Sequence, residues 1–204
     1  MCAQHSPTAP TATFIRRLKA REERAFNELV LSYEAQVYRL VWRMLGNKQE
    51  AEDMTQEVFV QVFKSIDSFR GDSKIGTWIY RIATNLTRNR HKYLTRRHRK
   101  SHAELDPNQP EDAYEGAQGR TTGETRRPDW DAMGNEAERI VVRCLHELDS
   151  EHREILVLRD VENLSYDEVG AITGLAAGTV KSRLHRARSL LKAQVSALLN
   201  GQGG

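Results

Sequence analysis

Lys181, Ser182, Arg183, His185 and Arg186 crowd into one stretch, Thr179-Val180-Lys181-Ser182-Arg183-Leu184-His185-Arg186-Ala187-Arg188. Long cationic donors beside a short hydroxyl are the set that reads base edges and phosphates in a DNA groove. Val180, Leu184, Ala187 and Leu191 recur at three and four, the period of a helix with one buried stripe, which turns Lys181, Ser182, His185 and Arg186 outward. They lie near the N-terminal half of that helix, from which recognition helices meet bases. A second candidate lies upstream, where eight Lys or Arg and no acid occur between Arg81 and His102. Such a density repels itself unless it is solvated or matched by an anion, and nucleic acid is the natural match. Asn85 and Asn89, four residues apart, share a face of this segment and offer both donors and acceptors. Just before them, Phe69-Arg70-Gly71-Asp72-Ser73-Lys74-Ile75-Gly76-Thr77-Trp78 is a loop able to fold round an extruded base. Trp78 itself reads as core. Asp53, Gln56, Glu57, Gln61 and Lys64 form a polar helix face that reads as solvent-facing, and the neighbouring Phe59 and Val60 would also suit a protein-docking face.

Catalysis has little to work with. There is no metal-ligand spacing, no nucleophile and base pair and no phosphate-cradling glycine loop, and His152 reads as a surface group. The expectation is a protein that is not an enzyme and needs neither metal nor cofactor. Cys2 and Cys144 stand too far apart in sequence to suggest a disulfide framework or zinc site, and Cys144 falls on an apolar stripe as a core residue. The longest apolar runs, such as Ile155 to Leu158, fall far short of the roughly 20 residues that span a bilayer. Met1 to Thr13 has neither the basic nor the apolar region of a secretory signal. A cytoplasmic protein without membrane insertion follows as the expectation.

The elements that must position these groups are all helical. The chain has 204 residues, 39% hydrophobic and 29% charged, with a formal charge of +3, which suits two modest units better than one large core. Phe26, Leu29, Val30, Tyr33, Val37, Leu40, Val41 and Met44 predict one or two helices before Gly46, and Asn47 with Glu50 predicts a capping box opening the next. That helix buries Met54, Val58, Val62 and Ile66 and ends near Ile66; a third, from about Thr77 to Tyr93, buries Trp78, Ile79, Ile82 and Leu86 and turns Tyr80, Arg81, Asn85, Arg88, Asn89 and Lys92 elsewhere. Residues 14–102 thus form one domain after a tail at 1–13. Ala103 to Asn135 loses all apolar period and gains acids, Pro and Gly, the composition of a flexible acidic linker. Residues 136–200 form the second domain, before a short tail at 201–204. It opens with Ile140, Val141, Cys144, Leu145 and Leu148 on one face, and Ser150 is placed to cap its next helix. Ser165 and Glu168 predict a capping box, Gly174 a stop, and Leu175 to Gly178 a turn, which is helix-turn-helix spacing.

With these motifs the sequence resembles the sigma-70 family, specifically its extracytoplasmic-function group of the sigma-E type, from about Arg21 to Leu199. Asp53-Met54-Thr55-Gln56-Glu57-Val58-Phe59 resembles that family's region 2.2. Phe69-Arg70-Gly71 with Thr77-Trp78-Ile79-Tyr80-Arg81-Ile82-Ala83-Thr84-Asn85 resembles regions 2.3 and 2.4, and Gly178 to Arg188 resembles the region 4.2 recognition helix. The resemblance implies an all-α fold of two small domains, a region 2 bundle of three to four helices and a region 4 helix-turn-helix. It implies that Asp53, Gln56, Glu57, Phe59 and Val60 dock on the beta-prime clamp helices of core RNA polymerase, with the beta flap as a further contact. Phe69, Arg70, Gly71, Ser73, Lys74, Tyr80, Asn85, Arg88 and Asn89 would take the melted minus-ten element, and Thr179, Lys181, Ser182, Arg183, His185 and Arg186 the double-stranded minus-thirty-five element. An anti-sigma factor is an expected partner and a homo-oligomer is not. A turn of Ala176-Ala177, where many relatives carry Pro, departs from the family pattern. Two other readings are open to the sequence: a dimeric helix-turn-helix regulator, for which no dimer seam is evident, and a nucleic-acid enzyme, for which no catalytic group is.

Overall fold

The computed structural model describes residues 12–104 and 136–201, and every regular element in them is helical. Helix α1, Ala12–Lys19, turns through Arg21 at φ 61° into α2, Glu23–Leu45. Gly46 ends α2 and donates its N–H to Trp42 O at 2.8 Å. Asn47 then caps α3, Lys48–Ser65, its side-chain oxygen accepting from Glu50 N–H at 2.9 Å. The expected return bond of a capping box is not what Glu50 makes. Its carboxylate instead takes Arg90 in a two-pronged pair at 2.5 and 2.9 Å, a stronger interaction than a cap's second bond. Arg90 lies in α4, Ile75–Glu104, which follows a 3₁₀ turn at Ile66–Ser68 and a loop. α4 is longer at both ends than its apolar stripe predicts, starting two residues before Thr77 and running past Tyr93.

The second half comprises α5, Glu136–Glu147; α6, Ser150–Leu156; a π-helical turn, Val157–Val161; α7, Tyr166–Thr173; and α8, Ala177–Gly201. Asp149, not Ser150, caps α6: its carboxylate accepts from Glu151 N–H at 3.1 Å and His152 N–H at 3.0 Å, leaving Ser150 as the first helical residue. Val141, expected on the inward stripe of α5, is 39% exposed, whereas Cys144, Leu145 and Leu148 are buried. The tail and linker expectations lie outside the described residues, except where α1, α4 and α8 take in their ends.

One apolar core runs through both halves, from Leu29, Val41 and Ile79 to Ile155, Leu158 and Leu184. α7 packs on α4, and α5, α6 and the π turn pack on α2. The two-domain reading foresaw the halves but not this shared face.

Arg153 of α6 sits at the seam, 7% exposed. Its guanidinium donates to Leu145 O at 2.9 Å, His146 O at 2.7 Å, Leu148 O at 2.8 Å and, across the seam, Met44 O at 2.6 Å. Met44 is in the last turn of α2, Leu145 and His146 are in the last turn of α5, and Leu148 follows that helix, so the guanidinium gathers carbonyls where two helices end. Burial pulls the Arg153 pKa below its ordinary value. Beside it, His146 of α5 lies against Gly46, where an added Cβ would come 2.9 Å from its Nδ1, and edge-on to Trp42. Burial, with help from the Arg153 charge, draws His146 down to a pKa of about 4.

Two outcomes follow from this seam. Arg153→Met strands several buried acceptors, each costing about 1–3 kcal/mol, and should lower unfolding stability by at least about 3 kcal/mol in urea. Arg153→Lys should recover only part, since an ammonium cannot fork to four carbonyls; full recovery would mean that charge alone matters. For His146 the folded pKa is depressed, so its contribution is complete above the ordinary value of 6.5 and fades as pH falls towards about 4. Subtracting the pH–stability curve of His146→Gln from that of the parent should leave a decline confined to this window, and a flat difference would contradict it.

Candidate functional site

The helix-turn-helix is built by local chemistry. Ser165 Oγ accepts from Glu168 N–H at 3.2 Å while Glu168 Oε2 accepts from Ser165 N–H at 2.9 Å, the reciprocal capping box at the start of α7. Gly174, at φ 75°, ends that helix in the left-handed conformation that costs glycine least. Gly170 admits the close approach of the turn, for a Cβ there would stand 2.9 Å from Leu175 O. With Ala176-Ala177 in place of a proline the turn still forms, and α8 begins at Ala177, two residues before the expected Thr179.

On α8, Val180, Leu184 and Ala187 are buried as the stripe requires, and Lys181, Ser182, His185 and Arg186 are exposed. Thr179 and Arg183 are half-buried. The Arg183 guanidinium reaches Glu151 Oε2 at 2.5 Å, and Arg188 holds Asp160 with both prongs. Lys181 Nζ lies 5.7 Å from the centre of the Tyr166 ring, and Arg159 stands 5.2 Å from the same ring. Sequence reading passed over Tyr166, because an aromatic at the first turn of a short helix reads as packing.

In the first half, Arg81, Asn85 and Asn89 form an exposed row along α4, and Arg70, Gly71, Ser73 and Lys74 are exposed in the loop before it. Between row and loop lies a cavity of about 380 Å³, lined by Phe69, Arg70, Gly71, Trp78 and Arg81 on this side and by Ala171 of α7 on the other. Trp78 is buried, as its spacing predicts, with its ring centre 5.4 Å from that of Phe69. Two expected surface residues are not on the surface: Phe69 is 4% exposed and Tyr80 6%. Phe69 is drawn in by Trp78. Tyr80 is covered from the second half, where its hydroxyl donates to Glu162 Oε2 at 3.0 Å, with Gln36 Oε1 also at 3.1 Å. Burial foremost, then the Glu162 charge, raises the Tyr80 pKa, and burial raises that of Glu162. Arg88 is half-buried, its Nε 2.6 Å from Glu154 Oε2 and its Nη2 on the other oxygen of that carboxylate. This pairing keeps the guanidinium more basic than usual.

Of the α3 face, Asp53, Gln56, Glu57 and Val60 are exposed, Val60 by 50%, while Phe59 turns half inward against the core. Asp53 Oδ1 accepts from Gln49 Nε2 at 3.2 Å. Arg96 and Arg97 are exposed at the far end of α4, and Arg99 and Lys100 lie outside the described side chains. Among the described residues no helix is long and apolar enough to cross a membrane.

The arrangement therefore offers an exposed polar face with an apolar residue on α3, an aromatic-floored cavity beside a row of Arg and Asn on α4, and a helix-turn-helix with an outward cationic start. Residues 29–99 match the family model for Sigma-70 region 2, and residues 138–191 that for Sigma-70, region 4. The chain is 34% identical over 188 residues to the ECF RNA polymerase sigma-E factor of Haemophilus influenzae, an alignment covering 91% of this chain and 95% of that one. It is also 34% identical over 189 residues to the ECF RNA polymerase sigma factor SigW of Bacillus subtilis, covering 90% and 96%. Its fold matches the sigma factor RpoE of Bartonella quintana, solved in complex with the anti-sigma factor NepR, with a TM-score of 0.62 at 21% identity, covering 84% of this chain and 96% of that one. Both halves of the motif set thus fall within one known lineage of transcription initiation factors, and the chain belongs to the extracytoplasmic-function RNA polymerase sigma factors of the sigma-70 family.

Proposed function

We propose that this sigma factor divides its work among the three surfaces just described. The α3 face, through Asp53, Gln56, Glu57 and Val60 with Phe59 behind them, docks on the clamp helices of core polymerase. The loop and α4 hold the displaced strand of the minus-ten element. Arg70, Gly71 and Ser73 border the cavity that takes an extruded base, with Phe69 as part of its floor and Lys74 beside them in the loop; Asn85 and Asn89 meet base edges or phosphates, and Arg88 meets phosphate. Tyr80 joins this surface only once Glu162 has left it. On α8, Lys181, Ser182, His185 and Arg186 face the minus-thirty-five groove, with Thr179 and Arg183 at its margin. The chain acts in the cytoplasm without catalysis or cofactor, as a monomer until it meets polymerase, and answers to an anti-sigma factor.

The observation that carries this reading is the exposed Arg81, Asn85 and Asn89 row beside an aromatic-floored cavity, in a chain whose family opens promoters. The test is run-off transcription by core polymerase on a promoter library. Glu57→Lys should lose competition for core while keeping the parent's circular dichroism, whereas Asn85→Ala should keep core affinity and lose promoter opening. Arg186→Ala should cost about 1–3 kcal/mol at particular bases of the minus-thirty-five element if its fork meets a base. A variant order in which Asn85→Ala loses core affinity as steeply as transcription would make Asn85 structural and remove the minus-ten assignment.

A further inference from the structure

Tyr93 of α4 does little for the fold. It lies outside the apolar core and is 54% exposed, and tyrosine is a weaker helix former than the arginines around it. Its neighbours on the helix, three and four residues to either side, are Asn89, Arg90, Arg96 and Arg97. An aromatic ring thus stands among three guanidinium side chains and an amide, with no acid between them.

The ring is braced from behind. The Arg90 guanidinium lies 5.5 Å from its centre, within the range of a cation–π contact. Glu50 of α3 holds that guanidinium with both oxygens, so the brace is anchored to the rest of the bundle. One face of the ring is against Arg90, and the exposure of the residue leaves the other to solvent. A held, flat aromatic face beside cations is what an unpaired nucleobase stacks on, while its phosphates meet the flanking charges. A protein contact centred on Tyr93 would want apolar neighbours, and these neighbours are polar.

Spacing points the same way. Asn85, Asn89 and Tyr93 follow one another at four residues, about 6 Å a step at about 1.5 Å per residue. Nucleotides of one strand stand about 3.4 Å apart, so Tyr93 lies about two nucleotides beyond whatever Asn89 meets. The cavity at Phe69, Trp78 and Arg81 lies at the opposite end of this row.

We propose that Tyr93 is a stacking platform for one unpaired base of the melted promoter strand, with Arg96 and Arg97 on the phosphates beside it. This rests on the reading that α4 and its preceding loop take the minus-ten strand. The strand is then gripped at two aromatic sites, the cavity and the Tyr93 ring, with the asparagines between them. A base that leaves the duplex gains at Tyr93 a stack that offsets the one it loses.

The test uses the full chain with core polymerase on a promoter recovered from the run-off library. That promoter carries 2-aminopurine, which dims when stacked, at one position at a time through the minus-ten element and the bases adjoining it. With the parent, one position should stay dim after opening. Tyr93→Ala should brighten that position alone and lower the equilibrium constant for opening about tenfold. Tyr93→Phe and Tyr93→Trp keep a ring and should match the parent. Tyr93→Lys offers a long donor without a ring and should behave as Tyr93→Ala does; rescue by this lysine would make the contact one to phosphate and overturn the proposal. The dependence of opening on salt should have the same slope in Tyr93→Ala as in the parent, whereas Arg96→Ala with Arg97→Ala should flatten it. A flattened slope in Tyr93→Ala would count against stacking in the same way. Loss of competition for core polymerase by Tyr93→Ala, in step with its loss of transcription, would make the ring a protein contact and overturn the proposal. Asn85→Ala in the same assay reports on the underlying reading. Impaired opening there with an unchanged Tyr93→Ala would sink the platform and spare the strand assignment; unimpaired opening by Asn85→Ala would sink the assignment itself.

Discussion

The packing of the two halves turns on one guanidinium. Four carbonyls take the protons of Arg153, three from the end of α5 and the loop after it and one from the end of α2. Two helices of different halves thereby end on the same side chain, which takes Met44 O beside the Gly46 cap of α2 and three carbonyls at and just after the end of α5. A buried charge answered chiefly by carbonyl dipoles is tolerable when its donors find acceptors, and four of the five do. Because α6 is short, fixing Arg153 fixes its neighbour Glu154, which points to α4 instead and meets Arg88. One turn of helix therefore locks the seam through one residue and engages the basic face through the next.

What could be read in the sequence was whatever short-range rules govern. The caps at Asn47, Ser165 and Gly174, the buried stripes of α3 and α8, and the helix-turn-helix spacing all arise within a few residues and came through. Cys144 went to the core with its stripe. Errors came where a distant partner, or a stronger neighbouring one, outweighed the local rule. Glu50 has the spacing of a capping box, yet a guanidinium forty residues on holds its carboxylate. Ser150 is a good cap beside a better one, since Asp149 accepts from two N–H groups.

The site was legible by type and less so by exposure. Asn85, Asn89, Lys181 and Arg186 are outward, as helical phase requires. Phe69 and Tyr80 have the residue types of a nucleic-acid surface, but aromatic types are equally those of a core, and only tertiary packing decides between them. Arg153 was invisible for the opposite reason. An arginine in the middle of a charged helix start, Ser150-Glu151-His152-Arg153-Glu154, carries every mark of a solvated residue. No local pattern announces that it will cap helices elsewhere.

The basic segment of α4 poses a constraint that its own helix cannot meet. Eight cations without an acid between Arg81 and His102 must be hydrated, or neutralised by groups distant in sequence. In this structure part of the answer is internal: Glu50 takes Arg90 from within the first half, and Glu154 takes Arg88 from the second. These two pairs differ in what separating the halves does to them. The Arg90 pair joins α3 to α4 inside one bundle and survives separation, so it stiffens the bundle that must present the row. The Arg88 pair crosses the seam and is broken by separation, which frees a guanidinium beside Asn85 and Asn89 without disturbing their helix. The basic face of α4 thus carries two kinds of neutralised cation, one paired within its own bundle and one paired across the seam. On α4 the two kinds are two residues apart, and helical phase sends them to opposite partners.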